Sequence, residues 1–168
     1  MKGDLKLGIF SKKEKDNDNP YEGLRQQVLD SKPDENVKML MDGKPIYAAI
    51  VDMDMDKAVA TLACFIDGTT SLYFSNGGGQ LGLGQAHEEV RNATVAFLRS
   101  SEQILDKMEI ATDFSLPANN NHIVYLVSEN SIYKYEIDLD MLESASREIN
   151  FLFFLYQNVL NKIREVSS

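Results

Sequence analysis

The sequence predicts an α+β domain in which about five mostly antiparallel strands carry helices packed on the sheet, in the order α-β-β-β-α-β-β-α. Three observations predict it. Ile46–Met53, Ala58–Ile66 and Thr69–Ser75 are strand-like runs joined by hairpin-length links, which makes an antiparallel meander. A second hairpin is spelled by His122–Ser128 and Ser131–Ile137 around the two-residue turn Glu129-Asn130. Two long stretches, one before and one after that hairpin, repeat apolar residues at helical spacing.

The elements follow in order. Residues 1–18 read as a flexible tail: Ser11–Asn19 is polar and of mixed charge, and LKLGIF before it is either a short edge strand or a docking segment. Residues 19–168 form the single domain. Asn19 as N-cap, Pro20 at the first helical position and Glu22 completing an N-x-x-E box start a helix. Tyr21, Leu24 and Val28 give it one apolar face, and Pro33 ends it near Ser31. A loop with Gly43 and Pro45 covers residues 32–45, with room for a helical turn at Val37–Met41. Asp54-Met55-Asp56-Lys57 links the first two strands, and Asp67-Gly68 links the second and third. A helix is expected over Ala86–Met108, its face built from Val90, Ala93, Thr94, Phe97, Ser101, Ile104, Leu105 and Met108. Glu109–Asn121 reads as a polar loop. In the second hairpin Tyr133 and Tyr135 share one face, and Lys134 and Glu136 share the other, which is expected to be wet. The last helix, capped by Asp138 or Asp140, runs to about Val166. Phe151, Phe154 and Leu155 widen its apolar stripe past one face, so it is expected either to be central to the fold or to meet another subunit with part of its surface.

The least ordinary stretch is Ser75–Arg91, SNGGGQLGLGQAHEEVR, with five of the ten glycines. Glycine at this density supplies positive φ or close backbone approach. A helix start after it offers free N–H groups. GGGQLGLGQ-HEEVR resembles a stretch of uncharacterised bacterial proteins of similar length, over roughly Tyr47–Val127, and that resemblance implies no activity. The element order resembles the profilin-like sandwich of the roadblock and longin superfamilies. Such folds serve as dimerising scaffolds or small-ligand sensors, which is what the resemblance implies here. Roadblock domains place two strands before the central helix and three after it; this chain has three and two.

Composition narrows the function. Twenty-six acidic against seventeen basic residues give a formal net charge of −9, which disfavours nucleic acid and anionic lipid as partners. No apolar run reaches the ~20 residues of a membrane span. The single Cys64, with no leader before it, fits a cytoplasmic protein.

Several chemistries are set aside. Gly77, Gly79 and Gly82 spell G-x-G-x-x-G, but after the third strand of a meander rather than the first of a βαβ unit. Gln85 follows Gly84 where a P-loop needs lysine. Asp52, Asp54 and Asp56 lack the glycine and glutamate of a calcium loop and read as a solvated hairpin tip. Cys64 lies mid-strand, where a thiol is inert, and His122 reads as an exposed or hydrogen-bonded ring. Two histidines and one cysteine far apart give no metal spacing, so neither metal nor cofactor is expected.

Two functions remain. The first is a non-catalytic interaction or regulatory module that forms a homodimer or docks a protein partner, with Phe151, Phe154 and Leu155 at the interface. The second is a small polar ligand or anion held by Asn76, Gly77, Gly78, Gly79, Gln80, Gly82, Gly84, Gln85, His87 and Arg91. In a purely architectural reading, the same glycines let the loop fold over the sheet edge. A hydrolase or transferase using His87 is a third possibility.

Overall fold

A computed structural model describes residues 19–167. The expected tail, residues 1–18 with LKLGIF, lies outside the described residues. One antiparallel sheet organises the rest. Its spatial order is β4-β3-β2-β1-β6-β7-β5, built from β1 (Ile46–Asp54), β2 (Val59–Phe65), β3 (Thr70–Phe74), β4 (Gly79–Gln80), β5 (Glu109–Ile110), β6 (His122–Ser128) and β7 (Ile132–Ile137). The helices are α1 (Tyr21–Leu29), α2 (Glu35–Met41), α3 (Leu83–Ala86), α4 (Glu88–Ser100) and α5 (Arg147–Ser167).

The meander forms as its turns predict. Asp52 pairs with Thr61 across β1–β2, and Thr61 with Tyr73 across β2–β3. The second hairpin joins the meander through β6, which pairs with the free side of β1 and sets Asp52 against Ile123. β1 is therefore central, and only Asp54 at its end is less than buried. Helices cover both faces, which is why Ile46–Met53 is almost continuously apolar instead of alternating. On one face lies α1, joined to β1 by Arg25 and Asp52. On the other lie α4 and α5. The Thr94 hydroxyl of α4 sits 2.6 Å from that of Thr70 in β3, and Tyr156 of α5 reaches His122 in β6. The two helices meet through the rings of Phe97 and Tyr156.

Among the described residues seven strands replace the expected five, because two-residue strands close both sheet edges. Neither is long enough to leave an alternating pattern in sequence. Helix boundaries also differ. The expected Ala86–Met108 helix is divided: α3 is one turn, His87 is extended, α4 follows, and Ser101–Lys107 tightens to 3-10 geometry. Ser101 donates its hydroxyl to the Leu98 carbonyl, a local bond that competes with the regular ladder where the change begins. The expected final helix begins as a separate 3-10 turn at Leu139–Ser144, capped by Asp138, and restarts at Arg147. Asn150 holds that break by donating to the carbonyls of Leu142, Ala145 and Ser146. A full short helix, α2, occupies the expected loop, because Asp34 accepts from the Val37 amide and caps it. Pro20 takes the N-cap position of α1, while the Asn19 side chain accepts from the Tyr21 amide and donates to the Ser75 carbonyl.

Candidate functional site

The glycine-rich stretch is a hairpin followed by a crossover anchored by the buried Leu83 and Gly84. β3 turns at Ser75–Gly78 and returns as β4. Gly77 and Gly78 take positive φ with no atom near where a Cβ would stand. Gly79 differs: its Cβ would lie 2.6 Å from the Tyr73 Cα, so only glycine lets β4 pair this closely. Gly84 is more constrained still, since a Cβ there would stand 1.8 Å from the Gly68 carbonyl oxygen.

Arg91 closes this knot. Its Nη1 donates to the Gly84 carbonyl at 2.9 Å, and its side-chain carbons lie where a Gly68 Cβ would be. Thr70 donates to the Gly68 carbonyl from the other side. Gln85 points away from the hairpin and donates to Thr69. Gln80 and Asn76 are exposed on the hairpin, and His87 is half-buried between α3 and α4. The ten residues expected to share a ligand are thus divided. Arg91, Gly84 and Gln85 brace the β2–β3 turn, and Asn76–Gln80 form the hairpin. The N-terminus of α4 is separated from the Gly77–Gly79 hairpin by α3 and already carries Glu88 and Glu89 in its first turn.

A groove of about 200 Å³ lies beneath the hairpin. Gly78, Gly79 and Leu81 border it on one side, and Tyr21, Leu24 and Tyr73 on the other. A second groove of about 280 Å³ lies between Ser31, Phe114 and the Ser128–Ser131 turn. None of the expected polar site residues lines either.

The densest polar chemistry sits inside the sheet. Asp52 is 0 % exposed, so only Asp54 and Asp56 remain of the expected solvated tip. Asp54 there accepts from the Asn120 amide. Arg25 donates to Asp52 Oδ2 from Nε at 3.0 Å and from Nη2 at 2.7 Å. Thr61 donates to Oδ1 at 2.6 Å, and the Tyr21 hydroxyl lies 2.6 Å from Thr61. Nη2 also donates to the Phe114 carbonyl, and the guanidinium stands over the Tyr125 ring. Burial pushes the Asp52 carboxyl up, while Arg25 and Thr61 pull it back. The Tyr73 hydroxyl is buried without a partner among the described residues, and burial raises its pKa further.

This pair went unseen in the sequence, although a signal existed. Arg25 continues the Tyr21–Leu24–Val28 stripe of α1, and Asp52 interrupts an apolar strand. A cation in one buried face requires an anion in another. On the outer face of the second hairpin Glu136 is exposed as expected, and Lys134 is more covered than expected. Lys134 lies over the Tyr125 ring and donates to the Asp113 carbonyl.

Cys64 is fully buried and its thiol is pushed up to about 12 by desolvation, far from thiolate reactivity. His122, 7 % exposed, has Nδ1 2.7 Å from the Tyr156 hydroxyl, and desolvation lowers its pKa to about 4. Among the described residues no cluster of His, Cys, Asp and Glu could hold a metal ion, and no helix is long and apolar enough to cross a membrane.

The last expected site is on α5. Leu155, at 7 % exposure, belongs to the internal stripe with Leu152, Tyr156, Val159 and Ile163. Phe151 is half-buried, and Phe154 is 61 % exposed. Comparison with known protein families, curated proteins and solved structures finds no match to this chain.

Proposed function

We propose that this chain is a non-catalytic, cytoplasmic interaction module that self-associates, or docks a protein partner, through the outer face of α5. The observation that carries this reading is Phe154. A phenylalanine at 61 % exposure stands in the middle of a 21-residue helix whose opposite face is packed into the core. Phe151 beside it is half-covered and extends the apolar area. The inward commitment of Cys64 and His122 supports the non-catalytic part of the reading. The expected profilin-like relationship belongs to the same reading, supported by the antiparallel sheet with long helices on it.

Light scattering on the wild type and on Phe154→Glu tests it. A wild-type oligomer that Phe154→Glu dissociates without unfolding the chain is the expected result. A monomeric wild type that also captures no partner sinks the reading.

A second reading, a small-ligand site at the glycine hairpin, draws support from the 200 Å³ groove bordered by Gly78 and Gly79. Its walls favour a compact, largely apolar ligand over the anion expected from sequence. It predicts ligand-dependent thermal stabilisation that Leu81→Glu abolishes. A broad ligand screen giving no shift removes it.

A further inference from the structure

The charges on the outer stripe of α5 select one occupant for this face. Phe154 is seven residues from Arg147 and eleven from Glu165, close to two and three helical turns, so the three share one stripe. All three are exposed. Arg147 is the first residue of α5, beside the positive end of the helix dipole, and makes no ion pair among the described residues. Glu165 stands at the negative end, two residues before the helix terminus at Ser167, with Lys162 at 3.6 Å. Each charge is therefore at the end of the helix that disfavours it. Glu148 and Arg164 occupy the favourable ends, but they lie off the stripe. The Phe154 stripe alone carries the reversed order.

We infer that α5 pairs with α5 of a second copy in antiparallel register, with Arg147 against Glu165 of the partner subunit at both ends. This inference rests on the reading of α5 as the interaction face. Antiparallel pairing puts each misplaced charge beside an opposite charge and beside the dipole end that favours it. The register follows. A two-fold axis midway between positions 147 and 165 passes at residue 156, so each Phe154 is two residues from it. The two Phe154 rings then lie about 6 Å apart along the axis, at ~1.5 Å rise per residue, and cover one another at the centre. Phe151 flanks the contact, and Asn158 and Asn161 lie on the same stripe between Phe154 and Glu165. The arrangement is isologous and closes at two copies.

Sedimentation velocity at low salt tests it with four variants: Phe154→Glu, Arg147→Glu, Glu165→Arg, and the last two combined. The expected wild type is a dimer that Phe154→Glu dissociates. Each single reversal creates two like-charge contacts and weakens the dimer about tenfold or more. The double reversal restores affinity to within about threefold. A dimer that Phe154→Glu dissociates but both charge reversals leave unchanged overturns the antiparallel register and leaves α5 as the interaction face. A dimer indifferent to Phe154→Glu, or a monomeric wild type, overturns the α5 homodimer; a monomeric wild type that also captures no partner overturns the interaction face as well. Circular-dichroism melting of each variant separates dissociation from unfolding.

Discussion

Arg25 grips a single oxygen of Asp52 with two N–H groups, at 3.0 and 2.7 Å, in the interior between α1 and the central strand. Removing either partner leaves a buried charge alone, which costs about 3–5 kcal/mol. Asp52→Leu and Arg25→Met should each lower unfolding stability by that order in guanidinium titrations. The double variant Arg25→Met/Asp52→Leu should lose at least about 2 kcal/mol less than the sum of the singles. Additive losses would show that the two charges do not act as a unit.

The glycines make a graded prediction. Gly84→Ala drives a Cβ into the Gly68 carbonyl and should cost about 3 kcal/mol or more. Gly77→Ala meets no atom within 4 Å and strains only a φ of +106°, so it should cost about 1 kcal/mol. Thermal unfolding of the two variants checks the order. Equal losses would mean that the crossover at Gly84 adjusts freely.

His122 predicts acid sensitivity. Its folded pKa, about 4, lies below the ordinary value of 6.5 because desolvation disfavours the imidazolium, so the unfolded chain binds the proton more readily. The stability it contributes is present above pH 6.5 and is lost as pH falls towards 4. After allowance for solvent near the ring, this amounts to about 1–2 kcal/mol. Between pH 7.5 and 4.5 the wild type should lose that much more stability than His122→Gln in denaturant titrations. Parallel pH profiles would contradict it.

Local signals fixed the meander and the second hairpin. Asp67-Gly68 and Glu129-Asn130 are turn chemistry that needs nothing from the rest of the chain. What could not be read locally was decided by contacts across long sequence separations. Asp52 sits among aspartates that look solvated, and it is buried because α1 brings Arg25 onto it. The glycine stretch showed composition without purpose. The purpose of Gly84 is visible only once the Gly68 turn lies against it. On α5 the excess of apolar residues was plain, but only packing could assign Leu155 inward and leave Phe154 outside. The two-residue edge strands carry no periodicity at all.

The position of β1 has a consequence for biosynthesis. One of its flanks is satisfied by β2, a few residues downstream, whereas the other waits for His122–Ser128, some seventy residues later. A nascent chain released before that segment leaves the ribosome exit holds a long apolar ribbon with one row of amides and carbonyls uncovered. Truncated translation products of this protein would consequently be chaperone clients or seeds of aggregation.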